Sequence, residues 1–343
     1  MLFYLLPLIF LAFAMMVGKW LRFSKFVYVP IGAMPMVFLS LARGNVGVDT
    51  PNYVSAIYLL RMNGDLIEYF EPLFERLLLL VGQLPVDDFV VLAIISFITT
   101  ILLLFSWLKI EERPLILFVV MSQFYVDMTM NGIRYGLAFG LVSLAALSLI
   151  RRPSLLYWPI IALGSGIQVT SGFLGLFLYL IHHMKARAIV FFIAFSCVAF
   201  YLFGDHILIK LSDNQTLFKP SLLSGIVPLV LSMSLLIVWY RDKNVGRQAF
   251  GKIAILLLLS FMAYGVSQYS YAGLRLQLLI VFMICLVMAC HQKIAGVGFS
   301  RQSSILIMLI GIFFGLLKIR NFAAADEYIA APFIPYLFFW ESY

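Results

Sequence analysis

Two arginines stand where a hydrocarbon environment would penalise them. Arg134 opens the apolar run Ile133-Arg134-Tyr135-Gly136-Leu137-Ala138, and Arg275 does the same in Tyr271-Ala272-Gly273-Leu274-Arg275-Leu276-Gln277. A guanidinium stays charged at any working pH and presents a planar fork of N–H donors. At membrane depth it costs roughly 2.5–3.5 kcal/mol on insertion scales unless it faces water or a partner, so by default it marks a polar site. Two such groups suit an oxyanion, and together they would neutralise a pyrophosphate through bidentate bonds. The bland reading of each is an anchor that snorkels to the headgroups.

Other side chains could complete a reaction. Asp49 and Tyr53 lie four positions apart and share a face if Asp49 leads into a helix. Asp49 would then serve as a general base toward a hydroxyl, or simply cap that helix. Glu71 precedes a proline and is not a preferred capping type, which leaves its carboxylate for another role. Gln168, Thr170 and Ser171 sit in the polar break Gly164-Ser165-Gly166-Ile167-Gln168-Val169-Thr170-Ser171-Gly172; they would bind sugar hydroxyls or satisfy backbone at a kink. Tyr271 shares a helix face with Arg275, and Gln277 adds polarity on another face. His182, His183, His206 and His291 lack metal-ligand spacing, and the chain has no zinc-protease, phosphate-loop, nucleophile-elbow or dinucleotide-binding pattern. No metal, cofactor or nucleic acid is expected.

The elements that must position these groups are helices in a bilayer. The chain is 63% hydrophobic and 12% charged, with mean hydropathy +1.03. A soluble domain does not have so little polar surface. Helices satisfy their own backbone in lipid, so one all-α polytopic domain over 1–343 is expected. Apolar runs place spans at 2–17, 26–42, 88–108, 114–128, 132–150, 188–204, 221–240, 249–265, 272–290 and 302–319, about ten in all. The run 154–182 reads as two short helices meeting at the polar break. The first run lacks a basic leader and a cleavage site and is read as a retained span. Cys197, Cys285 and Cys290 all sit in apolar runs, which argues against a disulfide or metal role.

Lys and Arg set the orientation. With the N-terminus outside, most of the basic residues fall in inner loops and most of the acids on the outer half. Arg134 and Arg275 then both lie at outer ends of spans. The net charge of +8 reflects these loops and forms no nucleic-acid stripe. The outer loop 43–87 should carry a helix over 51–62, with Thr50 as N-cap and Pro51 at the first helical position. Glu71-Pro72 should start another over 72–84. Gly132, Gly136 and Gly140 form a small-residue seam, and Arg134 points away from it. The tail is aromatic, as suits a membrane interface.

These elements resemble, in order, the EpsG-type, Wzy-like family of bacterial polysaccharide polymerases. The segment Arg43-Gly44-Asn45-Val46-Gly47-Val48-Asp49-Thr50-Pro51-Asn52-Tyr53 resembles that family's arginine, glycine–aspartate and tyrosine signature. Glu71-Pro72-Leu73-Phe74 resembles its acidic-proline element, and Ile133-Arg134-Tyr135-Gly136-Leu137-Ala138 its isoleucine–arginine stretch. Ile167-Gln168-Val169-Thr170-Ser171 occupies a place where histidine is usual; Gln168 cannot titrate, which speaks against an acid/base role there. Arg275 corresponds to a late outer-half arginine and Pro335-Tyr336 to a terminal proline–tyrosine pair.

The resemblance implies an all-α, GT-C-like glycosyltransferase in the bacterial inner membrane with its active site facing the periplasm. It would polymerise undecaprenyl-diphosphate-linked repeat units for lipopolysaccharide O-antigen, capsule or exopolysaccharide. Donor and acceptor would both be lipid-linked glycans, without nucleotide sugar or metal, and a chain-length regulator protein would be a further partner. Asp49 or Glu71 would be the base, and Arg134 and Arg275 would stabilise the leaving diphosphate. Arg43, Tyr53, Arg61, Tyr135, Gln168, Thr170, Tyr271, Gln277 and Tyr336 are the substrate-binding candidates. A flippase of the same lipids, or an O-antigen ligase, are the alternatives.

Overall fold

A computed structural model describes residues 1–63, 70–151, 155–183, 225–244, 249–323 and 332–341. The chain is a polytopic all-α membrane protein. Its helices are α1 (Leu2–Trp20), α2 (Lys25–Ala42), α3 (Thr50–Asn63), α4 (Pro72–Gly82), α5 (Asp88–Ile110), α6 (Leu115–Val126), α7 (Ile133–Arg151), α8 (Tyr157–Ile167), α9 (Val169–His183), α10 (Ile226–Arg241), α11 (Phe250–Ser267), α12 (Tyr271–Ala295) and α13 (Arg301–Ala323). Among the described residues seven helices are long and apolar enough to cross a membrane, namely α1, α2, α5, α7, α11, α12 and α13. The shorter apolar ones are α6 with its extension to Asn131, α8, α9 and α10. The span expected at 188–204 and the first residues of the one at 221–240 lie outside the described residues, as do Cys197 and His206.

The described chain divides into two compact units, Met1–Gly175 with Gly311–Tyr343, and Leu176–Ile310. In the first unit α1 packs on α2, α2 on α5, α5 on α7, and α7 on α8. The glycine seam lets backbones approach: Gly140 faces Thr99 and Leu102 of α5, and Gly136 lies against the carbonyl of Met128. The helices α3 and α4 pack together and bury Ile57, Leu60, Phe74 and Leu78 against Val91, Leu92 and Ile95 of α5, Ile133 and Leu137 of α7, and Ile167 at the tip of α8.

Helix starts follow local chemistry. Pro72 begins α4, where a missing N–H costs nothing. The Asp87 carboxylate accepts the Phe89 N–H at 2.8 Å and caps α5. Glu111 accepts the Ile116 and Leu117 N–H groups at 2.9 and 2.7 Å, so a buried carboxylate satisfies the orphan donors of α6. Thr50 corrects its expected role: α3 includes it, and its hydroxyl donates to the Val46 carbonyl at 2.6 Å and the Met130 carbonyl at 3.3 Å. Those carbonyls belong to a tight turn and a neighbouring helix end, a tertiary demand that local capping rules cannot anticipate.

The helix α6 continues as a π-turn, Asp127–Asn131, before α7 begins. Its carbonyls are used by neighbours: Ser96 donates to Thr129 at 2.6 Å, and the Gly132 N–H to Asp127 at 2.7 Å. Gly47 stands at φ +99° with the Met130 carbonyl against its α-carbon, so a side chain there would be both strained and obstructed. Lys318 on α13 ion-pairs with the buried Asp127. The helices α8 and α9 form a broken hairpin: the Tyr157 hydroxyl donates to the Gly175 carbonyl at 2.5 Å, Gly164 meets Ser171, and the chain turns at extended Gln168. Both arms are short, as the sequence suggests.

The C-terminal tail clasps the N-terminal helices. Gly44 donates to the Leu337 carbonyl at 2.9 Å, Arg43 forms a single antiparallel bridge with Phe338, and the hydroxyls of Tyr4 and Tyr336 donate to Phe333 and Leu39 at 2.8 and 2.5 Å. In the second unit α10, α11 and α12 pack against one another. The Asp242 carboxylate at the end of α10 accepts the Asn244 and Ser300 N–H groups, both at 2.9 Å, and so ties the segment after α10 to the one before α13.

Candidate active site

The first unit gathers the chemistry-bearing residues around α3. Tyr53 on α3 is 3% exposed. Its hydroxyl accepts from the Arg134 backbone and lies within the electrostatic reach of Asp49, Arg134 and Arg43. Burial pushes the phenol up to about 12, and the Asp49 charge adds to this; the two arginines oppose it. It is therefore a neutral hydrogen-bonding group and not a base at working pH.

Arg43 is fully buried, and none of its three guanidinium nitrogens has a hydrogen-bond partner among the described residues. Tyr53, Tyr336 and Tyr4 surround it electrostatically. Burial draws its proton affinity down to about 10, well above neutrality, so it stays a cation. A buried cation without a counter-ion is costly and is retained where a ligand supplies the missing charge. The tail holds Arg43 in place through the bridge to Phe338 and the neighbouring Gly44–Leu337 bond. Tyr336, 7% exposed, closes the same place, its hydroxyl spent on the Leu39 carbonyl at 2.5 Å.

Arg134 does not snorkel. It meets Glu71 at 2.5 Å, with side chains 24% and 17% exposed, and its guanidinium lies over the Phe70 ring at 5.0 Å. Phe70 in turn packs on Tyr53 at 5.6 Å. The other Glu71 oxygen accepts the Val169 N–H at 3.4 Å, at the start of α9, where the helix dipole favours a negative charge. One carboxylate thus links α4, α7 and the hairpin tip. This occupies Glu71 as a positioning group.

Asp49 is half-buried, with its N–H on the Asn131 side-chain oxygen at 3.0 Å, so the π-turn sets the backbone that carries it. π-turns recur at functional sites because they re-aim side chains. Asn131, Phe70 and the Asp127–Lys318 pair were not singled out from the sequence. The polar residues of Asp127-Met128-Thr129-Met130-Asn131 inside an apolar run are the signal that points to them.

The other expected residues divide. Gln168 caps α8 at the hairpin turn, half-buried, and Thr170 is exposed on α9. The Tyr135 ring packs edge-on to Phe139 at 5.5 Å and covers Gly132. Arg61 is consumed by the scaffold: it pairs with Asp88 at 2.5 Å and donates to the Gly82 and Val86 carbonyls at 2.7 and 2.8 Å. Arg275 and Gln277 belong to the second unit. Arg275 is exposed near the start of α12, whereas Gln277 is 2% exposed and neither amide atom has a partner among the described residues. The Tyr271 side chain lies outside the described residues.

The arrangement in the first unit can bind an anion at Arg43 and Arg134, place a hydroxyl near Asp49, and hold both through Tyr53. No curated protein and no solved structure matches the chain. A family model does match, over residues 26–338, which takes in Arg43, Asp49, Tyr53, Glu71 and Arg134. The chain belongs to the EpsG family, a membership that points to a polysaccharide polymerase in a membrane.

Proposed function

We propose that this protein is a glycosyltransferase that polymerises undecaprenyl-diphosphate-linked oligosaccharide repeats at the periplasmic face of the bacterial inner membrane. The observation that carries the reading is Arg43: a buried guanidinium with no partner among the described residues, joined through Tyr53 to Arg134 and Asp49. That is a pair of cations beside a carboxylate, which suits a diphosphate leaving group and a hydroxyl nucleophile.

In the proposed reaction an acceptor sugar hydroxyl attacks the anomeric carbon of the donor's reducing-end sugar. The new glycosidic bond forms as the bond from that carbon to the diphosphate oxygen breaks. The bonding pair leaves with undecaprenyl diphosphate, and the hydroxyl proton passes to Asp49. Arg43 and Arg134 stabilise the charge gathering on the leaving diphosphate, an electrostatic role that needs no metal. Glu71 positions Arg134, and Tyr53 donates its hydroxyl hydrogen to a sugar or phosphate oxygen. Gln168 and Thr170 at the hairpin tip take sugar hydroxyls. The first unit supplies these groups by itself, without Arg275, Gln277 or Tyr271.

Orientation follows from the basic loops. The chain-length regulator and the polymer type are expectations carried by the family. The test is purified full-length protein given one defined lipid-linked repeat, with products sized. A ladder of multiples supports the reading. Transfer only to an unrelated acceptor would make the protein a ligase, and movement of intact repeats across a vesicle without new bonds would make it a flippase.

A further inference from the structure

The π-turn Asp127–Asn131 mounts both a carboxylate and a cation of the site. It shifts the register at the end of α6, and α7 begins at Ile133, so Arg134 follows closely on the turn. The loop before α3 is fastened to the same turn. The Thr50 hydroxyl donates to the Met130 carbonyl at 3.3 Å, Gly47 lies against that carbonyl, and the Asp49 N–H donates to Asn131 Oδ1 at 3.0 Å. Asn131 supplies the side-chain part of this grip on Asp49.

The grip fixes which way the amide faces. A backbone N–H only donates, so the atom turned to Asp49 is the Asn131 oxygen, and Nδ2 carries both hydrogens on the other branch of the same amide. No described residue accepts them. Asn131 and Asp49 are both half-buried, so both are within reach of a ligand. An amide donor thus stands beside Asp49, held there by a bond to the Asp49 backbone itself. A carboxylate and an amide NH2 on touching residues match two neighbouring hydroxyls of a sugar ring. The carboxylate accepts from one hydroxyl, and the amide donates to the oxygen of the other. Two such bonds orient the ring, where one bond leaves it free to swivel.

We propose that Asn131 positions the acceptor sugar. Its Nδ2 donates to the hydroxyl oxygen next to the hydroxyl that Asp49 deprotonates, while its Oδ1 holds the Asp49 backbone. The role rests on the polymerase reading and adds a specificity to it: the acceptor carries an oxygen on a carbon flanking the new linkage. Asn131 takes no proton in the reaction.

The test crosses a variant with a substrate analogue in purified full-length protein. The donor is a lipid-linked repeat capped at its non-reducing end, so that it cannot accept. The acceptor is the natural lipid-linked repeat, or one deoxygenated at either carbon flanking the linkage hydroxyl. Asn131→Asp keeps an oxygen for the Asp49 N–H and removes both amide hydrogens. With the natural acceptor it lowers kcat/KM for the acceptor about tenfold or more, while KM for the donor stays within about twofold. In the wild type, one deoxygenated acceptor suffers a similar loss, and Asn131→Asp adds little further loss with that acceptor, because the two changes break the same bond. Should Asn131→Asp not fold, Asn131→Ala goes through the same cycle. Losses that multiply with both analogues, as a merely structural or charge effect gives, overturn the proposal, as does wild-type transfer by Asn131→Asp. Those results leave the polymerase reading standing, whereas no polymer from the wild type overturns that reading and this role with it.

Discussion

Glu71 and Arg134 meet at 2.5 Å across 63 positions of sequence, and the second carboxylate oxygen faces the Val169 N–H. The pair fixes the guanidinium over Phe70, and Phe70 packs in turn on Tyr53. If Glu71 positions Arg134, Glu71→Gln lowers polymer formation roughly 10- to 100-fold, as loss of a supporting partner commonly does. Arg134→Ala abolishes long polymer and leaves single lipid-linked repeats. Gel ladders of surface glycan read both variants; full-length ladders from Arg134→Ala would remove it from the site.

Arg43 gives a test in which stability and activity move in opposite directions. Its charge is buried without a partner among the described residues, so Arg43→Met should leave the ligand-free protein as stable or more stable. The same change should cost about 10²–10³ in rate, the scale for losing one preorganised donor to a developing oxyanion. Unfolding midpoints and single-turnover rates check the two halves. A destabilised Arg43→Met with normal turnover would mean that the arginine is structural.

Asp49→Asn should reduce turnover about 10²–10⁴-fold, the usual worth of a positioned base. Binding of the lipid-linked donor should be unchanged, because the amide keeps the size and one acceptor oxygen. Asp49→Asn with wild-type turnover would pass the base role to Glu71.

The ion pair between Lys318 and the buried Asp127 anchors the π-turn that carries Asn131. Lys318→Met strands a carboxylate and should cost about 3–5 kcal/mol, whereas Lys318→Met with Asp127→Asn recovers most of it. A double-mutant cycle in thermal unfolding measures the coupling.

Gly47→Ala should destabilise by about 1 kcal/mol or more, because Gly47 stands at φ +99° and Met130 leaves no room for a β-carbon. Gly265→Ala is the control, since nothing lies within 4 Å of a β-carbon there. Equal unfolding midpoints for the two variants would contradict the close approach of the loop to the π-turn.

Hydropathy alone made the membrane class, the α5, α7, α12 and α13 spans and the broken α8–α9 hairpin legible, because burial in lipid demands long apolar helices and penalises every polar interruption. The same rule singled out Arg134, a charge that must be explained wherever it lies. It could not say what Arg134 faces. Glu71 looked unoccupied because the N–H of Val169 and the Arg134 guanidinium reach it only after α4, α7 and α9 have packed. Arg61 looked like a binding residue for the same reason, until Asp88 and two carbonyls claimed its donors. The π-turn at Asp127–Asn131 and the burial of Arg43 beneath the tail were decided by tertiary structure alone. A register shift and a contact between residues nearly 300 positions apart, such as Tyr336 with Leu39, leave no local period to read.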